Sequence, residues 1–211
     1  MNATTDLDRC VTAVLKTRAK GIRRLIAIAG PPASGKSTFA EHLTDALVAA
    51  GDAAALVPMD GFHLDNRILD ARGLRPRKGA PETFDADGFL HAVSRLATEE
   101  DVIMPSFDRA IDTSIAGSIA VGAGVKTAVI EGNYLCFDEA PWARLMDHWD
   151  LTVRLDVPDK VLEMRLIERW LSYGLSDDEA RARAQSNDLP NARRIQARRL
   201  ATDLTLETYA P

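Results

Sequence analysis

Gly30-Pro31-Pro32-Ala33-Ser34-Gly35-Lys36-Ser37 fills every fixed position of the pattern G-x-x-x-x-G-K-S/T, a loop whose backbone N–H groups close around phosphate oxygens. The flanks suit that reading. Leu25-Ile26-Ala27-Ile28-Ala29 is a short apolar run, as for a buried parallel strand. Phe39, Leu43, Leu47 and Val48 then recur at helical spacing. Strand, loop and helix place phosphate at a helix N-terminus, where the macrodipole adds about half a positive charge. Gly30, Ala33, Ser34, Gly35, Lys36, Ser37 and Thr38 form the expected nucleotide-binding set. Lys36 is expected on the β- and γ-phosphates and the Ser37 hydroxyl on Mg²⁺.

Outward from the loop, apolar runs at 54–59, 102–105, 127–130, 151–155 and 204–206 read as strands. Periodic stretches at 6–18, after 85 or 87, at 159–173, 176–186 and 190–201 read as helices. Residues 61–84, rich in Gly, Pro, Arg and Asp, read as a loop with a helical turn, and 112–124 as a hairpin or exposed excursion. This alternation predicts one α/β domain over 1–211, a parallel sheet covered by helices on both faces. Ligands of such sheets bind off the carboxyl ends of the strands. Two acids fall there besides the loop. Asp60 follows the second strand and reads equally as a turn cap or as a group that accepts a hydroxyl proton or binds Mg²⁺ through water. Glu131 ends the 127–130 strand, as a Mg²⁺-organising acid would.

The 211 residues suffice for one sizeable core, and 27% charged with 46% hydrophobic residues is ordinary for a globular chain. A net charge of −5 argues against nucleic acid as the main partner. No apolar run reaches membrane-spanning length, and the polar, acidic Met1–Cys10 is unlike a signal peptide. These features point to the cytoplasm. Cys10 and Cys136 read as buried apolar residues, His63 as a loop hydrogen-bonding residue, and Trp142, Trp149 and Trp170 as core. Eight arginines, Arg165, Arg169, Arg181, Arg183, Arg193, Arg194, Arg198 and Arg199, interleave with acids toward the C-terminus. Most read as a solvated surface; one or two read as lid arginines closing on transferring phosphate.

Met59-Asp60-Gly61-Phe62-His63-Leu64-Asp65-Asn66-Arg67-Ile68-Leu69, Arg77-Lys78-Gly79-Ala80-Pro81-Glu82-Thr83-Phe84-Asp85, Pro105-Ser106-Phe107-Asp108-Arg109 and Ile130-Glu131-Gly132-Asn133-Tyr134-Leu135 resemble segments of the P-loop kinases that include bacterial pantothenate kinase, uridine kinase and phosphoribulokinase. The resemblance runs from about residue 24 to 207 and is nearest to bacterial proteins labelled fructose-transport kinase or fructokinase. It implies a P-loop kinase fold with an arginine-bearing helical lid at about 165–190, with ATP and Mg²⁺ as cofactors. It makes Asp60 the catalytic base, Ser37 and Glu131 the Mg²⁺ organisers, and Arg165 and Arg169 lid-side charge stabilisers acting with Lys36. Arg77, Lys78, Asp108 and Arg109 would face a small-molecule acceptor, with sugars first, pantothenate-like acids second and nucleosides third. Set against pantothenate kinase, the chain is shorter and is expected to lack that family's extra C-terminal acceptor-binding region. A regulatory GTPase would carry an N-K-x-D motif; Asn187-Asp188 lacks the lysine. A homodimer is left open.

Overall fold

A computed structural model describes residues 3–207; residues 1–2 and 208–211, the ends of the expected domain span, lie outside the described residues. Five parallel strands form the main sheet: β1 (Arg24–Ala29), β2 (Ala54–Pro58), β5 (Thr127–Gly132), β6 (Leu151–Asp156) and β7 (Leu204–Glu207), in the order β2-β5-β1-β6-β7. β1 is central and buried along its length, which is why it reads as an unbroken apolar run rather than an alternating one.

Helices cover both faces. Leu25, Ala27, Ala128 and Ile130 point to one side, against Phe89, Val93 and Leu96 of α4 (Ala86–Thr98) and Trp142 and Trp149. Ile26, Ile28, Val129 and Val153 point to the other, against Phe39, Leu43 and Leu47 of α2 (Lys36–Ala49) and Cys10 and Val14 of α1 (Ala3–Lys16). Leu43 is fully buried, so its truncation to alanine costs about 2–5 kcal/mol. Burial pushes both thiols up to about 12, which leaves Cys10 and Cys136 inert packing groups.

Three departures from the sequence reading shape the site. The 102–105 run does not join the parallel sheet. It is the start of β3 (Val102–Asp108), which pairs antiparallel with β4 (Thr113–Val121) in a separate two-stranded ribbon. Pro105 has no N–H for a sheet ladder, and the register shifts between Met104 and Ser106. Gly61 lets this ribbon approach, since a Cβ there would collide with the Pro105 carbonyl. Second, the 61–84 loop is a chain of short helical turns, including α3 (Asn66–Ala71) capped by Asp65. It is pinned to the core where the Tyr134 hydroxyl donates to the Gly79 carbonyl at 2.6 Å. Third, the two C-terminal helices do not break near 187–189. α6 (Asp177–Arg183) passes through a π-helical turn at Ala184–Asp188 into α7 (Leu189–Ala197). These helices and α5 (Asp159–Ser172) hold a small apolar cluster of their own, Leu166, Ile167, Ala180, Ala184 and Leu189, against which Ala33 packs.

Candidate active site

The parallel register sets the first part of the site. Glu131 pairs with Ile28 on one side and Pro58 on the other. The loop after β1, Glu131 at the end of β5 and Asp60 just past β2 therefore emerge at one level of the sheet. The loop itself is wound tightly: Ala33 at φ 61° and Gly35 at φ 87° both lie in the left-handed region. Glycine accepts that conformation freely, whereas Ala33 is held in it by the surrounding fold. Alternating handedness turns successive amides inward as an anion nest at the start of α2. The buried Ser34 hydroxyl has no hydrogen-bond partner.

Glu131 is 5% exposed. It hydrogen-bonds Ser37, while its Oε2 is buried without a partner. Burial raises its carboxyl above the ordinary value against the opposing pull of Lys36. A desolvated carboxylate oxygen beside a serine hydroxyl is a hard-oxygen donor set that fits Mg²⁺. Among the described residues there is no cluster of three or more His, Cys, Asp or Glu side chains that could hold a metal. Such a cation would therefore share Ser37 and Glu131 with phosphate oxygens, its usual manner at phosphoryl-transfer sites. Burial lowers the Lys36 ammonium, and Glu131 and Asp60 oppose that shift.

The cleft continues past Asp60 as a cavity of about 360 Å³. Burial pushes the Asp60 carboxyl up, but His63, Arg109, Lys36 and Arg169 together bring it below its ordinary value, so it is ionised at neutral pH. Arg109 Nη2 donates to Asp60 Oδ2 at 2.6 Å. The His63 ring lies between Phe84 and Phe107, with Nδ1 at 2.8 Å from the Asp60 carbonyl. Burial lowers its pKa, and the Asp60 carboxylate opposes that shift.

Of the four residues expected on the acceptor side, Lys78 and Arg109 line the cleft and two do not. Arg77 turns away to Glu82 at 2.8 Å. Asp108 accepts the Ala110 and Ile111 amides at 2.9 and 3.3 Å, capping the ribbon turn. Both lie in segments that reach the cleft, but turn geometry aims them elsewhere. Lys78 is fixed by Asp112 Oδ1 and Asn66 Oδ1, each at 2.8 Å.

The arginines of the C-terminal region differ in where they end. Arg181, Arg193, Arg194 and Arg199 end in ion pairs. Arg165 donates to the Ala33 and Ser34 carbonyls at 3.3 and 3.4 Å, bracing the phosphate loop. Arg169 lines the cleft, its Nε buried and unpartnered. Arg183, one of the eight arginines named from the sequence, lines the cleft, as do Asp112, Asp188 and Asn191, which sequence reasoning did not single out. Trp170, read as core, packs against the Leu166–Leu189 cluster and also forms part of the cleft wall, with Arg169 and Arg183 over its ring. The run Asn187-Asp188-Leu189-Pro190-Asn191 held a signal for part of this set: three polar side chains within five residues of a helix.

The family model described as "Phosphoribulokinase / Uridine kinase family" matches residues 25–174. A solved structure from Silicibacter sp. TM1040, described as a "putative fructose transport system kinase", is 52% identical at a TM-score of 0.91, covering 98% of this chain and 99% of that one. The "Uncharacterized protein YggC" of Escherichia coli K12 is 34% identical over 92% of this chain and 82% of its own length. The "Putative uridine kinase C227.14" of Schizosaccharomyces pombe is 34% identical over 88% of this chain and 83% of its own. Phosphate loop, strand-end acid and matching family model together place this chain in the phosphoribulokinase/uridine kinase family of P-loop kinases.

Proposed function

We propose that the protein transfers the γ-phosphoryl group of Mg·ATP to a hydroxyl of a small metabolite, with sugars and sugar-like compounds first among acceptors. The observation that carries this reading is the line of groups from the phosphate nest through Lys36 to Asp60, opening onto a cavity sized for a small molecule. Pantothenate-like acids rank second and nucleosides third. The preference for sugars draws on the fructose-transport name of the 52%-identical structure.

The nest amides and Lys36 hold the β- and γ-phosphates. Ser37 and Glu131 would hold Mg²⁺, which when bound neutralises charge on those oxygens. Asp60 orients the acceptor hydroxyl and takes its proton as the new O–P bond forms and the bond from γ-phosphorus to the bridging oxygen breaks, that electron pair leaving with ADP. A depressed pKa makes Asp60 a weak base. That suffices where the transition state is loose and catalysis is mainly positioning and charge stabilisation. Arg165 fixes the loop, and Arg169 supplies positive charge from the lid formed by α5 to α7, whose closure excludes water.

The test is a phosphorylation screen of purified protein with Mg²⁺ and ATP against sugars, sugar acids, pantothenate and nucleosides. Acceptor-dependent ADP release supports the reading. ATP turnover indifferent to every acceptor refutes it.

A further inference from the structure

We propose that the π-helical turn in the lid is an acceptor-reading element, and that Asp188 and Asn191 select an uncharged polyhydroxylated acceptor. The inference rests on the kinase reading above and narrows its substrate class.

A π-helical turn adds a residue to the helix and rotates the residues after it; such turns recur at functional sites. Here it ends at Asp188, which is 7% exposed and lines the cleft with Asn191, 4% exposed and one turn on. Asp188 Oδ2 accepts Trp170 Nε1–H at 2.6 Å. No donor among the described residues meets its Oδ1. Asn191 uses Nδ2 on Asn187 at 3.3 Å, and Asn187 in turn donates to the Lys78 carbonyl at 2.9 Å. The lid turn is thereby stitched to the 75–80 loop across the cavity. Asp188 lines the cavity, so a donor that arrives there can use the acceptor capacity its carboxylate has left. Hydroxyl groups are such donors, and a carboxylate accepts from them in charge-assisted bonds.

The cations of the cavity point the same way. Away from the phosphate loop and the lid, each already faces a carboxylate: Lys78 meets Asp112 at 2.8 Å, Arg75 meets Asp70 at 3.2 Å, and Arg109 meets Asp60 at 2.6 Å. On the lid side Arg169 and Arg183 both bear on Asp188, so an acceptor bearing a carboxylate or phosphate would have to break one of these pairs or compete with Asp188 for those two arginines. A neutral polyol does neither.

The experiment compares neutral ketoses, aldoses and alditols with sugar acids, sugar phosphates and pantothenate as acceptors, in the wild type and in Asp188→Asn. The asparagine keeps an oxygen for Trp170 and nearly the same volume, so a purely structural Asp188 would leave acceptor KM unmoved. The expected result is a neutral polyol phosphorylated by the wild type, its KM raised about tenfold in Asp188→Asn, with the KM for ATP within about twofold. Asn191→Ala, which leaves the Trp170 bond alone, raises acceptor KM about threefold and serves if Asp188→Asn does not fold. Phosphorylation of an anionic acceptor alone overturns the proposal and leaves the kinase reading standing, as does an unchanged acceptor KM in whichever variant folds. ATP and acceptor KM rising together also overturns it. No phosphorylation of any compound overturns both.

Discussion

The two ends of the cleft are built in opposite ways. The phosphate end comes from one contiguous eight-residue stretch and a single acid, both fixed at the carboxyl edge of the buried sheet. The acceptor end is assembled from the 61–84 turns, the β3–β4 ribbon and the lid, none of which belongs to that sheet. One end is rigid because strand register sets it. The other is held by side-chain bonds such as Asn187 to Lys78 and Tyr134 to Gly79, which lie nearer the low-stability end of a structure. On the proposed kinase reading, chemistry common to many acceptors would sit on the first, and discrimination between acceptors on the second.

The largest test of that division is Lys36→Ala. Phosphoryl transfer should fall below detection while the melting temperature stays within about 3 °C, since the change removes a partly desolvated charge rather than core packing. Wild-type turnover would break the assignment of the phosphate end. Asp60→Asn probes the boundary between the ends: the amide keeps the shape but cannot take the proton. We expect kcat to fall about 10²- to 10⁴-fold with nucleotide affinity within about threefold, measured by a fluorescent nucleotide. Collapse of nucleotide affinity with normal saturated turnover would make Asp60 a metal or structural residue.

Within the acceptor end, adjacent residues sharpen the comparison. Arg109→Ala should lower kcat/KM for the acceptor about tenfold with the ATP KM little changed. Asp108→Ala and Arg77→Ala should each move it less than about twofold, because one caps a turn and the other pairs outside the cavity. Equal effects at positions 108 and 109 would contradict the aim of these side chains. The smallest effect concerns how the base of the lid is fastened. Arg194 bridges Glu82 at 3.0 Å and Glu139 at 2.5 Å, which holds the Glu139 carboxyl below its ordinary range. A depressed folded-state value contributes stability above the unfolded value of about 4.5, which is lost as pH falls through the folded value. Arg194→Ala should therefore cost about 1 kcal/mol at pH 7, the pair being about one-third exposed and solvent-screened. The difference from wild type should shrink in melts taken below about pH 4.

By itself the sequence determined the nucleotide end: local φ, helix polarity and strand burial act over neighbouring residues, so Gly30–Ser37, Glu131 and the main strands of the sheet are visible as spacing. It also carried the segments of the acceptor end, through resemblance. It did not carry their aim. Whether Asp108 or Arg109 faces the cavity depends on which amides the ribbon turn leaves free, and the placement of 102–105 depends on a partner strand and on Pro105. Asp188 reaches the cleft through a π-helical turn that changes the phase of a helix by one residue, which an apolar period cannot register. Those choices are made by contacts between residues distant in the chain, so only the tertiary structure decides them.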